Sequence, residues 1–351
     1  MVYKKGKRLT WLFAVGILAI LLIPSACDNK KKKLVDITYL GEALGTSYRI
    51  TYATDSGVFI MPQDITDCLE TFESSLSTFR ENSTISRINK NEPYVELDSL
   101  FLTVFNRGME ISSLTDGAFD MTVAPLVNLW GFGFKKSDDV SDEHVWEVLH
   151  HVGYEKVKIQ NGYIKKSDSD IMLDASAIAK GYACDIVAQL LQSKGCVNYM
   201  VEIGGEVVTH GVNPQGEPWR IGITQPSDSN AVDNPTLQAR VSLGDIGTAT
   251  SGNYRQFYYK DGKRYSHTID PHTGYPVEHN LLSATVFASD CMTADALATA
   301  FMVMGLDKAC EFVENQVLPV TAYFIYTDTD DHMRTKVVGP DKDKINLTEM
   351  Q

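Results

Sequence analysis

Asn161-Gly162, set between Val157, Ile159 and Ile164 in alternation, spells a two-residue β-hairpin, because a type I′ turn needs φ above zero at both central residues. The same punctuation recurs along the chain. The run around 38–52 alternates as a strand pair with Gly41 and Gly45 as breaks, and Asp261-Gly262 marks another hairpin. Further strands are expected at 197–203, 206–210, 219–224, 237–243 and 318–326. Helices fall between them. One opens at Pro62 and carries Ile65, Leu69, Phe72, Leu76 and Phe79 at helical spacing. A second runs from Ser99 to Leu114 and is ended by Asp116-Gly117. A third spans 178–194 through Ile178, Tyr182, Ile186 and Leu190 and is closed by Gly195, and a fourth spans Met292 to Met304 before Gly305. Strands that come as hairpins need no helical crossover. The expected fold class is therefore α+β, with mixed or antiparallel sheets and long inserted helices, and not a doubly wound parallel sheet. At 351 residues and 44% apolar composition the chain can bury one large core or two interleaved ones.

The N-terminus has a different character. Lys4, Lys5, Lys7 and Arg8 precede an apolar run from Leu9 to Ile23, then Pro24-Ser25-Ala26-Cys27. A run of about 15 apolar residues is short of the roughly 20 that span a bilayer, and the three-part pattern is that of a secretory signal. Ser25 and Ala26 before Cys27 resemble a bacterial lipobox, with Pro24 in place of the usual Leu. The expectation is a signal peptide over 1–26, a lipidated Cys27 with a polar tether over 27–36, and a folded domain over 37–345. The protein would be exported and lipid-anchored on the periplasmic face of a bacterial membrane. Net charge is −13, and the body beyond Cys27 is more acidic still, because four of the basic residues lie in the leader. Such a surface repels nucleic acid, which is bound by neutralising phosphates. Beyond Cys27 there are five cysteines, with no CxxC or other metal spacing, which argues against a disulfide framework or a zinc site.

Four segments have the composition of a site. Asp295 and Thr299 lie close together on one side of the fourth helix, opposite Leu297, Ala300, Phe301 and Met304. Two hard oxygen ligands suit Mg²⁺, although an ordinary solvent face offers the same residues. Asp174-Ala175-Ser176 starts the third helix with Lys180 in its first turns. Free N–H groups, the helix dipole and an ammonium favour a diphosphate, and a plain capped helix has the same appearance. The polar loop Ser266–Gly274 follows a strand and contains His267, the natural acid or base near neutral pH. Asp116–Asp120 and Trp130–Gly133 set aromatics beside glycines, which can form a slot for a planar ring or simply pack a loop. No GxGxxG or Walker segment is present, so a nucleotide would be held by other means.

Taken in order, these segments resemble the ApbE family, the FAD:protein FMN transferases. The resemblance is carried by Gly45-Thr46-Ser47-Tyr48-Arg49, Leu76–Phe79 with Ser83 and Ile85–Asn89, Gly117–Asp120, the 173–182 segment, Gly204-Gly205, Thr250-Ser251-Gly252, His267–Gly274 and Ala294–Thr299. It implies a T-fold-like architecture, with Mg²⁺ held by Asp295, Thr299 and the backbone carbonyl of Ala177. It also implies an FAD site lined by Leu44, Phe79, Ala118, Phe119, Asp120, Asp174, Lys180 and Ile269. Leu44 stands where the family commonly has Met, and Glu202 where Asn is more usual, so the segment around Glu202 is kept out of the site. The implied reaction is attack of a threonine or serine hydroxyl of another protein on the FMN phosphorus of FAD, expelling AMP, with His267 taking or orienting the proton. Membrane-bound flavoprotein subunits, of sodium-pumping quinone reductases or Rnf-type complexes, are the implied acceptors. The same residues also fit an FAD pyrophosphatase or a non-catalytic FAD-binding lipoprotein.

Overall fold

The computed structural model describes residues 34–351 apart from 55–56, 134–139, 227–235, 254–256, 261–262, 343–344 and 351. The signal peptide, Cys27 and most of the tether lie outside the described residues, as does the turn Asp261-Gly262. Among the described residues no helix is long and apolar enough to cross a membrane.

The chain opens with β1 (Val35–Ala43) and β2 (Thr46–Thr54), joined at Leu44 and Gly45, both at positive φ (53° and 71°). Only the second expected break is one. Gly41 lies inside β1 opposite Tyr48, and its missing Cβ makes room for the Tyr48 ring. Helices α1 (Pro62–Leu76), α2 (Thr84–Asn89), α3 (Ser99–Leu114), α4 (Ala124–Leu129) and α5 (Asp142–Leu149) follow. Helix α1 stops three residues before Phe79, which is therefore off the helix and 83% exposed. The β3–β4 hairpin (Val157–Gln160 and Tyr163–Lys166) turns at Asn161 and Gly162, at φ 54° and 81°, as the sequence predicts.

Helix α6 (Ser176–Ser193) leads to β5 (Tyr199–Ile203), β6 (Glu206–His210), β7 (Trp219–Thr224), β8 (Leu237–Leu243) and β9 (Ile246–Gly252). The short hairpin β10 (Phe257–Lys260) and β11 (Lys263–Ser266) precedes β12 (Leu281–Ala288). The chain ends through α7 (Cys291–Met304), α8 (Leu306–Glu314), β13 (Thr321–Thr327), β14 (Met333–Val338) and β15 (Thr348–Glu349).

The fold is α+β. Eight strands form one antiparallel sheet in the order β1-β2-β5-β6-β9-β12-β13-β14, and β15-β8-β7 form a second sheet. Strand β13 shows how the two are assembled. Ala322 and Phe324 join the main core, with Leu297 and Phe301 of α7. Tyr323 and Ile325 point the other way, into a second core with Val241 and Leu243 of β8. Both faces of the central strands are thus buried, one under helices and one under the smaller sheet. A third cluster lies apart from both and joins Leu126, Leu129 and Trp130 to Val145, Val152 and Ile269.

Candidate active site

Helices α6 and α7 pack against each other and are locked end to side. Asp185 of α6 accepts the N–H groups of Cys291 and Met292 at 2.9 and 2.8 Å, supplementing the Asp290 cap of α7. Burial of Asp185 pushes its carboxyl pKa up to about 7. One turn earlier in α6, Gly181 lets the helices meet, since a Cβ there would collide with the Cys291 carbonyl. Its N–H donates to Asp295 Oδ2 at 2.9 Å.

Asp295 is only 2% exposed. The side of α7 that sequence periodicity left open to solvent is in fact covered by α6 and the sheet. The other oxygen of Asp295 faces Lys180 Nζ at 3.9 Å, beyond hydrogen-bond reach. Lys180 instead pairs with Oε1 of Glu206 at 2.7 Å. Burial alone would lower the lysine pKa, but Asp295 and Glu206 raise it, so the ammonium is fixed. Burial, together with the charge of Asp295, pushes Glu206 up to about 7 against the opposing pull of Lys180. Sequence reasoning missed Glu206. The signal available was a carboxylate directly after Gly204-Gly205, whose positive φ values (65° and 104°) turn the chain back under Lys180.

Thr299 lies one turn beyond Asp295, and its hydroxyl is 3.2 Å from Ser251 Oγ at the end of β9. Two residues on, Asn253 Oδ1 accepts the Thr268 hydroxyl at 2.7 Å, which ties this corner to the His267 loop. The His267 ring meets Phe132 edge-on at 6.3 Å. Ile269 is buried in the third cluster, and Trp130 Nε1 donates to the Gly274 carbonyl at 2.7 Å, closing the loop. His272 reaches back to the Asp116 carbonyl at 2.6 Å while its other nitrogen faces Asp270 at 3.0 Å. The 116–120 and 267–274 segments therefore stand side by side.

Asp120 accepts Thr122 N–H and Oγ1–H on one oxygen and Tyr154 N–H on the other, at 2.6–2.8 Å, and burial raises its pKa. Ala118, Phe119 and Asp120 are all buried, and the Phe119 ring packs in the main core, so this segment's outward offering is backbone. Asp174 is held by its N–H to the Met121 carbonyl (2.7 Å), and it accepts Ser176 N–H at 2.8 Å. Ala175 takes the N-cap position of α6 without a side-chain cap of its own; the Ser176 N–H goes to Asp174 and the Ile178 N–H to the Ala175 carbonyl at 3.0 Å, and the positive end of the helix dipole faces this corner. On the far side, Glu73 of α1 accepts the Leu44 N–H at 2.6 Å and also pairs with Arg80, next to Phe79.

Asp295 and, one turn on, Thr299 with Ser251 bring hard oxygen donors to this corner, the chemistry that suits Mg²⁺. The two groups of three His and Asp side chains close enough to share an ion among the described residues, His151/Asp168/Asp170 and Asp328/Asp330/His332, lie elsewhere.

The sequence model of the ApbE family matches residues 44–324. An FAD:protein FMN transferase of Vibrio cholerae is 40% identical over 329 residues, covering 92% of this chain and 94% of the relative. One from Haemophilus influenzae is 35% identical, with the same coverage of each chain. Among solved structures, the flavin transferase ApbE of Vibrio cholerae superposes with a TM-score of 0.78 at 38% identity, over 87% of this chain and 97% of that one. The ApbE protein of Thermotoga maritima does so at 0.75 and 29% identity, over 90% and 100%.

Proposed function

The chain belongs to the ApbE family, and on that premise we propose that it is an FAD:protein FMN transferase that moves the FMN half of FAD to a threonine or serine hydroxyl of a target flavoprotein, releasing AMP. The observation that carries this reading is the meeting of the α6 N-terminus, Lys180 and the oxygen donors of α7 at one corner of the sheet. A diphosphate is suited by a positive helix end, a fixed ammonium and cation ligands together, and this corner offers all three.

In this reading Asp295, Thr299 and the Ala177 carbonyl would hold Mg²⁺. When bound, the cation neutralises charge on the diphosphate as its anhydride bond breaks. Lys180 and the positive end of the α6 dipole hold the phosphates. Leu44, Phe79, Ala118, Phe119, Asp120, Asp174 and Ile269 surround the rest of FAD. Phe79 offers an exposed ring, and the 118–120 segment offers backbone. The acceptor hydroxyl oxygen forms a bond to the FMN phosphorus, the bond from that phosphorus to the AMP oxygen breaks, and the hydroxyl proton passes to His267. Cleavage after residue 26 and lipidation of Cys27 would keep the enzyme on a membrane surface with its acceptors, membrane-bound flavoprotein subunits of sodium-pumping quinone reductases or Rnf-type complexes.

The test is incubation with FAD and Mg²⁺, with and without an acceptor subunit. AMP release that depends on the acceptor and matches its flavinylation supports transfer. Free FMN as the main product in both mixtures makes the protein an FAD pyrophosphatase. FAD binding that survives EDTA, with no AMP, makes it a non-catalytic flavin-binding lipoprotein.

A further inference from the structure

Glu206 begins β6 with its side chain only 4% exposed. One oxygen takes the Lys180 ammonium at 2.7 Å, and the other, Oε2, is buried with no hydrogen-bond partner. An unpaired carboxylate oxygen out of water is costly. The residue is not free to turn away. Its backbone carbonyl accepts the Cys184 thiol at 3.3 Å, and the Gly204 turn before it packs on the stem of Lys180. Protonation would not relieve the strain, because an added proton on Oε2 would itself need an acceptor. The charges do not balance either, since one ammonium stands between two carboxylates, Glu206 at 2.7 Å and Asp295 at 3.9 Å.

We propose that Glu206 is a positioning residue of this site, with Oε1 fixing Lys180 and Oε2 kept for a donor that arrives with the ligands, namely a water of the divalent cation. Lys180 stands between the two carboxylates, so a cation on Asp295 reaches Glu206 through water and not directly. Such an outer partner orients the inner ligands and adds the negative charge that the cation needs. The inference rests on the reading that a divalent cation binds at Asp295 and Thr299.

The experiment is Mn²⁺ titration of the purified full chain, followed by EPR of the free ion, with no FAD and no turnover. Glu206→Gln keeps the shape and removes the charge, and its Mn²⁺ affinity is expected to fall about ten- to a hundredfold, the usual range for lost outer-shell partners. Glu206→Asp retains the charge and is expected to lose less, a recovery that a purely structural role would not produce. Wild-type affinity in folded E206Q overturns this inference and leaves the cation site standing. Absence of Mn²⁺ binding by the wild type overturns both. Should E206Q fail to fold, Glu206→Ala takes its place, and wild-type affinity in folded E206A overturns the inference.

Discussion

The backbone N–H of Gly181 donates to Oδ2 of Asp295 across 2.9 Å, and the bond exists because residue 181 has no side chain. A Cβ there would strike the Cys291 carbonyl and stand 2.8 Å from Asp295 Cβ. Gly181→Ala should therefore push α6 and α7 apart, costing about 1–3 kcal/mol as overpacking of a tight core usually does. Chemical unfolding measures the cost. A variant as stable as the wild type would show that the helix contact is loose.

Asp295→Asn keeps the shape of the side chain and removes its charge. Transfer at saturating FAD is expected to fall about a hundredfold or more, the scale on which lost transition-state electrostatics is felt. The remaining activity should no longer respond to Mg²⁺. A titration that still shows the wild-type Mg²⁺ response would remove Asp295 from the ligand set.

Glu73 joins the Leu44 turn to Arg80, and through it two segments read as FAD contacts. Replacing it by Gln weakens both ties without touching the phosphates. The expected result is a KM for FAD raised about five- to tenfold, the equivalent of a hydrogen bond worth about 1 kcal/mol, with kcat nearly unchanged. A fall in kcat with KM constant would place Glu73 in the chemistry instead.

His272 bridges the Asp116 carbonyl and Asp270, and both ring nitrogens face acceptors, which favours the doubly protonated ring. Burial alone lowers its pKa, but the two acceptors win and raise it above the ordinary 6.5. A raised histidine pKa means the tie is complete below about pH 6.5 and is lost as pH climbs through the folded value. FAD affinity should thus weaken as pH rises above about 6.5 in the wild type, and the trend should flatten in His272→Gln. Equal slopes in the two proteins would show that the bridge does not govern binding.

Much of the fold is written in short-range signals. Asn161-Gly162, Pro62, Gly195 and Gly305 each mark a boundary near the place where the chain turns, because each fixes a local φ or removes a donor. Strands β9 and β12 were not legible. Their small residues and unbroken apolar run, TATSG and SATVFA, lack alternation because both faces of the central sheet are buried. Phe79 continues the helical spacing of α1 yet lies beyond its end, since periodicity alone does not show where a helix stops. In the site, Asp295 and Lys180 stood out by type and position. Glu206 did not, because its importance comes from the β5–β6 turn that brings it under Lys180 from another part of the chain. Burial of the polar side of α7 was hidden for the same reason, as it depends on α6 crossing at Gly181.

Flavinylation is the central claim, and intact-mass spectrometry of an acceptor subunit tests it most directly. The subunit is co-expressed with this chain, with Asp295→Asn, or alone. The account predicts an adduct with the mass of FMN on a single threonine or serine, present only with the wild-type chain. An unmodified acceptor in all three samples, while FAD is still converted to free FMN and AMP, would contradict it.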